Sequence, residues 1–231
     1  MGTQRGRKPK NRLPEKQSTL VNNYAPKNDK QRKFGDLIYD KEVTIALGPA
    51  GSGKTYVALA NALSLLGAKY KKIYLIKSVT SIPGEELGFL PGEIDEKMAP
   101  YIMSYTWNID KICGEGSAKN LMSKKLVEIL PLAYIRGLSI DESIVIIDEA
   151  QNIDRHTFKT IMTRIGTDSK YIFLGDIEQI DRKKKQESCL EPVLEIFKDS
   201  SLIGTIEFTD EDCVRNPIIP QILQALRANG I

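Results

Sequence analysis

Residues 48–55 could bind phosphate, because their sequence, GPAGSGKT, matches the pattern GxxxxGK[ST] at every fixed position. In such a loop successive backbone N–H groups turn toward one centre, and glycine allows the close approach of an anion. Lys54 would contact the β- and γ-phosphates of a nucleotide, and the Thr55 hydroxyl would bind Mg²⁺. An ordinary glycine-rich turn is the alternative. We assign to nucleotide binding Gly48, Pro49, Ala50, Gly51, Ser52, Gly53, Lys54, Thr55 and the following Tyr56.

An acid pair ends the apolar run 144–147, about 95 residues after the loop. Asp148 at the strand tip would hold Mg²⁺, through water, because this ion gives up its hydration shell reluctantly. Glu149 would orient and deprotonate the water that attacks the γ-phosphate. The alternative is a pair of exposed carboxylates at a strand end. The preceding phosphate loop favours the catalytic interpretation.

Three glutamines complete the candidate site. Gln179, in the loop after a predicted strand, would detect the γ-phosphate, and Gln151 would link water, metal and a moving loop. Gln31 would pair with the N6 and N7 edge of adenine and so select ATP, as glutamine does when proteins read that base in DNA. No Asn/Thr-Lys-x-Asp run of the guanine-selecting type is present. Ordinary polar loop or surface positions are the alternative for all three.

Strands and helices that could position these residues alternate along the chain from residue 34. Continuous apolar strands between amphipathic helices predict an α/β fold with a mainly parallel sheet covered on both faces. Ligands bind at the carboxyl ends of such strands. A stretch at about 80–136 interrupts the alternation and is predicted to be a helical insertion. The predicted strands are 43–47, 72–76, 143–147, 170–174 and 204–208, and the predicted helices are 54–66, 154–165, 188–198 and 217–228.

Composition indicates a basic arm, residues 1–33, followed by one domain, residues 34–231. The arm has ten lysines and arginines against two acidic residues, so the rest of the chain is net negative although the whole is +3. A basic, apolar-poor segment of this kind favours polyanions, or is a solvated tail. No secretion signal or apolar run of membrane-spanning length is present, and the three cysteines are scattered. A cytoplasmic protein without a membrane partner is therefore expected.

The motifs resemble the PhoH family in order along the chain. They are residues 48–56, 84–92, 131–137, 146–152, 175–181 and 212–217. The resemblance implies a P-loop ATPase, similar to the first RecA-like core domain of superfamily 1 helicases, with ATP and Mg²⁺ as ligands and a role in RNA or DNA metabolism. Short versions of this kind are common in phage genomes. The chain departs from the family pattern at Ser78-Val79, where an Arg-Pro is usual, and at residues 182–185.

The resemblance to half of a helicase core implies that a second protein wall closes the ATP site. Arg215, between the last predicted strand and helix, would be inserted as a catalytic finger into a neighbouring subunit. Such fingers contribute about 10³–10⁵ in rate. The assembly would be a head-to-tail homo-oligomeric ring, and a hexamer is expected by analogy. The alternative for Arg215 is an ion pair within its own chain, with Asp212 or Glu211.

RNA or single-stranded DNA is the expected second partner. Trp107, Tyr101 and Tyr105 in the insertion would stack on bases, since stacking tolerates any sequence. Contacts to the nucleic acid backbone are assigned to Arg136, Lys183, Lys184 and Lys185. We therefore expect a helicase-like ATPase. The alternatives are a nucleotide-dependent module that binds nucleic acid or protein with little turnover and, less favoured by the acid pair, a small-molecule kinase.

Overall fold

The core of the molecule is a six-stranded sheet in which every neighbouring pair is parallel. The computed structural model describes residues 20–78, 91–135, 140–179, 188–216 and 218–229. The strand order is β3-β2-β4-β5-β1-β6. The strands are β1 (Val43–Leu47), β2 (Lys72–Lys77), β3 (Val127–Pro131), β4 (Ser143–Asp148), β5 (Lys170–Gly175) and β6 (Ile203–Glu207). Strand order and direction confirm the predicted α/β class.

Helices cover both faces of the sheet. The helices are α1 (Asp29–Asp40), α2 (Lys54–Leu65), α3 (Pro91–Cys113), α4 (Ser117–Ser123), α5 (Leu132–Ile135), α6 (Arg155–Met162), α7 (Leu190–Phe197) and α8 (Ile218–Ala228). Buried apolar side chains form two core clusters. The first cluster joins one sheet face to α1, α2, α3 and α4, and the second joins the opposite face to α6 and α7. In the described parts of the chain no helix is both long and apolar enough to cross a bilayer.

The central strands are largely apolar because both of their faces are buried. In β1 all five residues are buried, with Ala46 in the first cluster and Ile45 and Leu47 in the second. In β4 Ile146 and Ile147 divide between the two clusters in the same way. Side chains of a strand alternate between faces, so a strand that is apolar on both faces belongs in the middle of a two-sided sheet.

Two elements differ from the sequence prediction. The arm was predicted to reach residue 33, yet α1 begins at Asp29, where the Asn28 side chain caps it by accepting from the Gln31 N–H. Upstream of the helix, Asn22 Nδ2 donates to the Ala60 carbonyl at 2.7 Å. The predicted helical insertion also contains a strand, β3, which forms the edge of the sheet beside β2. The boundary at residue 33 therefore lies inside a helix of the domain.

Helix α8 exposes apolar side chains. Ile218, Ile222 and Leu226 follow each other at intervals of four, so they lie along one face of the helix. They are 54%, 48% and 39% exposed. A contiguous apolar stripe of this kind is typical of a contact surface rather than of a solvated helix.

Candidate nucleotide site

A cleft of about 620 Å³ lies at the carboxyl ends of the central strands. The phosphate loop joins β1 to α2 at its base, and the end of β1 is tied to β5 through a hydrogen bond from the Gly48 N–H to the Gly175 carbonyl at 3.1 Å. Gly51 and Gly53 have φ angles of +92° and +84°, in the left-handed region that favours glycine. The loop therefore has the backbone that the sequence pattern predicts.

Lys54, the first residue of α2, folds back over the loop. Its ammonium donates to the carbonyls of Gly48 at 2.6 Å and Pro49 at 3.0 Å. Burial lowers the pKa of Lys54, while Asp176 and the acid pair at the end of β4 oppose that shift. A partly desolvated ammonium at a helix N-terminus gains from an anion placed beside it.

The predicted metal-binding residues meet at one point. Thr55 Oγ1 lies 3.4 Å from each carboxylate oxygen of Asp148. Burial raises the pKa of Asp148, which means that this carboxylate lacks full compensation for its lost hydration. A hydroxyl and a carboxylate are hard oxygen ligands of the kind Mg²⁺ takes together with water and phosphate oxygens. Among the described residues no cluster of three or more His, Cys, Asp or Glu forms a self-contained metal site.

Glu149 lies beside this point, held by two partners. Lys77 Nζ is 3.4 Å from its Oε1, and Gln151 Nε2 donates to its Oε2 at 2.7 Å. The backbone of Glu149 has a φ of +56°, in the left-handed region. The left-handed conformation raises the conformational energy of a non-glycine residue by about 1–2 kcal/mol, and such strain is concentrated at functional sites.

Gln151 links the acid pair to the neighbouring strand. Its Oε1 accepts from the Asp176 N–H at 3.1 Å, while its Nε2 contacts Glu149. Gln179, one turn further along this loop, donates through Nε2 to Asp176 Oδ2 at 2.8 Å and lines the cleft. Gln151 therefore bridges the two loops, and its expected link to water and metal stays a prediction. Detection of the γ-phosphate by Gln179 stays a prediction.

Gln31 is buried in the cleft wall. Its Nε2 donates to the Ser52 carbonyl at 3.0 Å, and its Oε1 accepts from the Lys27 N–H at 2.9 Å. A primary amide has two N–H groups and two carbonyl lone pairs, so each end retains capacity for one further bond. Gln31 therefore supports the phosphate loop, and its pairing with adenine stays a prediction.

Arg215 lies against the phosphate loop of its own chain. A β-carbon built on Gly51 would be 3.3 Å from Arg215 Cδ, and the adjacent Val214 N–H donates to the Gly51 carbonyl at 3.0 Å. The charge of Arg215 also lowers the pKa of Lys54. The chain after β6 therefore returns directly to the loop of its own subunit, and insertion of Arg215 into a neighbouring subunit stays a prediction.

Aromatic and basic side chains form one rim of the cleft. Trp107 on α3 is 64% exposed. Lys111 Nζ lies 4.8 Å from the centre of the Trp107 ring and 5.7 Å from that of Tyr56, while Tyr24 meets Tyr56 edge to face at 6.0 Å. Tyr105, which was expected to stack on bases, is instead buried, and its hydroxyl donates to Asp148 Oδ2 at 3.2 Å.

Sequence reasoning missed several residues of the site. Lys77 at the end of β2, Lys111 on α3 and Tyr24 ahead of α1 have no local signal, since only the folded chain brings them to the cleft. Four residues assigned to nucleic acid, together with the side chain of Tyr101 and most of the motif 84–92, lie outside the described part of the structure. The four are Arg136, Lys183, Lys184 and Lys185.

A family model described as "PhoH-like protein" matches residues 23–227. The chain belongs to the PhoH family. The PhoH-like protein of Bacillus subtilis is 38% identical over 196 residues, which are 84% of this chain and 61% of the relative. Protein PhoH of Escherichia coli K12 is 34% identical over 201 residues, 86% of this chain and 57% of the relative. This PhoH-like chain therefore spans about 60% of the length of these relatives.

Solved structures show weaker likeness to the PhoH-like chain. The large terminase of a thermophilic bacteriophage, solved in complex with ADP, aligns with a TM-score of 0.49 at 13% identity, covering 86% of this chain and 49% of the terminase. The flagellar accessory protein FlaH of Methanocaldococcus jannaschii aligns with a TM-score of 0.42 at 12% identity, covering 81% of this chain and 80% of FlaH. Family membership and the phosphate loop identify this PhoH-like domain as a nucleotide-binding domain of the P-loop class.

Proposed function

We propose that this PhoH-like chain is a Mg²⁺-dependent ATP hydrolase that acts on RNA or single-stranded DNA. The main support for hydrolase activity is the position of Thr55 Oγ1, which lies 3.4 Å from both carboxylate oxygens of Asp148. These residues are 93 positions apart in the sequence, yet they meet beside the phosphate loop. Bound Mg²⁺ would neutralise charge on the β- and γ-phosphates.

The other residues of the site have separate roles in the proposed hydrolysis. Lys54 and the N–H groups of the loop bind the phosphates, and Arg215 approaches them from the same chain. Glu149 orients the attacking water and takes its proton, held in place by Lys77 and Gln151. Preorganised charges of this kind act strongly because they need no reorganisation as the reaction proceeds.

The nucleic acid partner is supported by the rim of the cleft. Trp107 is largely exposed, and the Lys111 ammonium lies over its ring. An exposed ring beside a cation suits a single strand, since a base can stack on the ring while the cation meets a phosphate. Trp107→Ala should weaken binding of a labelled single strand about five- to 150-fold, the loss expected for one base stack.

Homo-oligomerisation is proposed on a different feature, the apolar stripe Ile218–Ile222–Leu226 of α8. Its exposure supports a contact with a second subunit. Because Arg215 lies near the phosphate loop of its own chain, we propose that it acts in cis, and the assembly is proposed independently of that role. Mass photometry should show an assembly that the triple serine variant of the stripe loses. A wild-type protein that is monomeric at micromolar concentration would contradict the assembly.

The test of the hydrolase is phosphate release by the wild type and Glu149→Gln, with Glu195→Gln as the matched control at an exposed position of α7. We expect Glu149→Gln to lower the rate by about 10²–10⁴ while nucleotide binding persists. RNA and single-stranded DNA should accelerate the wild type more than duplex DNA does. Equal rates for the two variants would refute the role of Glu149.

A binding module with little turnover is the second candidate, and one observation favours it. Glu149 contacts both Lys77 and Gln151. Each of its carboxylate oxygens therefore already has a partner before the attacking water binds. In that case ATP would bind and control affinity for nucleic acid, but phosphate release would stay slow with every nucleic acid tested. Stimulated turnover that depends on Glu149 excludes this candidate.

A further inference from the structure

Tyr105 contacts the carboxylate at the centre of the site from an element that lies outside the phosphate loop and the acid pair. It is on α3, 43 residues before Asp148, and its hydroxyl donates to Asp148 Oδ2 at 3.2 Å. Only 2% of the residue is exposed. We propose that Tyr105 is a positioning residue that fixes the rotation of the Asp148 carboxylate for metal binding. This inference rests on the proposed function.

The two oxygens of Asp148 are held by different donors. The Glu149 N–H donates to Oδ1 at 3.1 Å, and Tyr105 donates to Oδ2. The rotation of an Asp carboxylate about its Cβ–Cγ bond is otherwise broad. Each oxygen has further lone-pair capacity, and each lies 3.4 Å from Thr55 Oγ1. Two donors on opposite oxygens therefore orient the remaining lone pairs without occupying them.

Tyr105 is itself held in place by the core. Ile109 and Ile112, four and seven positions further along α3, are fully buried on the same face of the helix. A tyrosine hydroxyl carries its proton at neutral pH, since its ordinary pKa is about 10, so it is a donor. The rigid ring thus presents its hydroxyl to the carboxylate from one direction.

Loss of this hydroxyl should weaken metal binding and leave the phosphate loop intact. Donors that orient a metal ligand typically contribute 10–100-fold to metal affinity. Tyr105→Phe keeps the ring and its packing and removes only the donor. The expected change is a 10–100-fold weaker affinity for the cation, with unchanged binding of ADP in the presence of a chelator.

The experiment measures Mn²⁺ binding to the protein saturated with ADP, by the loss of the free-ion signal in electron paramagnetic resonance. The variants are Tyr105→Phe, Asp148→Asn, their combination, and Tyr171→Phe as a control for a buried tyrosine on β5 away from the metal residues. Calorimetry of ADP with a chelator provides the metal-free reference. Thermal unfolding of each variant checks that the fold persists.

The inference predicts weaker Mn²⁺ binding for Tyr105→Phe and unchanged binding for Tyr171→Phe. It also predicts that Tyr105→Phe adds little once Asp148 is already Asn, because residues that act as one unit are not additive. Unchanged Mn²⁺ binding by Tyr105→Phe, or an equal loss in the Tyr171→Phe control, overturns the inference. A wild type that binds neither ADP nor Mn²⁺ overturns the proposed function instead. An equal loss of Mn²⁺ affinity from Tyr105→Phe in the wild-type and Asp148→Asn backgrounds also overturns the inference.

Discussion

Replacing Arg215 by alanine should lower ATP turnover by about three orders of magnitude, and the loss should occur within each subunit. Arg215 Cδ lies 3.3 Å from the position of a Gly51 β-carbon, so the guanidinium reaches the same loop as Lys54. Two unit charges about 4 Å apart interact by about 4 kcal/mol at an effective dielectric constant of about 20. That energy corresponds to about 10³ in rate, at the lower end of the range for arginine fingers.

The assay is steady-state phosphate release by Arg215→Ala, with Arg164→Ala as a control at an exposed site on the surface after α6. A mixing experiment then decides between a cis and a trans arginine. Arg215→Ala is co-expressed with Glu149→Gln, so that subunits of both kinds assemble together. If Arg215 acts within its own subunit, each subunit has one lesion and the mixed sample stays inactive.

A trans arginine gives a different result in the same mixture. In a randomly mixed head-to-tail assembly, one interface in four would pair an intact Glu149 with an intact Arg215, and about a quarter of the wild-type rate would return. Recovery of that size would refute the cis role. So would wild-type turnover by Arg215→Ala alone, because the guanidinium would then not interact with the reacting phosphate.

Other residues give independent predictions. Gly53→Ala should abolish nucleotide binding in a calorimetric titration, because its β-carbon would lie 2.7 Å from Gln31 Nε2 at a φ of +84°. Cys213 should react with a thiol reagent and be protected by ATP with Mg²⁺, whereas Cys189 should not react with or without ATP, since burial raises its pKa to about 12. Burial lowers the pKa of Lys170 to about 8. Between pH 8 and 10.4 the unfolded chain therefore binds more protons than the folded chain. The free energy of unfolding should rise with pH over this range by up to about 3 kcal/mol. Lys170→Met should remove that rise in denaturant titrations, and an unchanged pH profile would contradict the effect.

The parts of the site that lie next to strands were predictable from sequence. The loop at 48–55 and the acid pair 148–149 carry local patterns, and the apolar runs beside them locate the strand ends within one residue. Because parallel strands present their carboxyl ends at one edge of the sheet, the meeting of Thr55 and Asp148 follows from topology. Their distance confirms that expectation.

The remaining contacts depend on packing between distant segments, for which the sequence has no periodic signal. Tyr105 was interpreted as a stacking residue because its helix also carries Trp107, but the two side chains leave α3 in different directions, one into the core and one toward solvent. Arg215 was expected to act in trans by analogy with half of a helicase core, and a sequence gives no distance from its loop to Gly51. Strand β3 was missed because an edge strand is only partly buried, and its apolar signal is correspondingly weak.

The edge position of β3 limits how far this domain can be shortened. Strand β3 follows α4 and pairs in parallel with β2, from Ile73↔Val127 to Lys77↔Pro131. Excising α3 and α4 together with this strand would leave a row of unpaired amides and carbonyls along β2, a template for association between chains. A domain shortened in this way should aggregate. Changes of length are therefore better tolerated in the connecting loops than in strand β3.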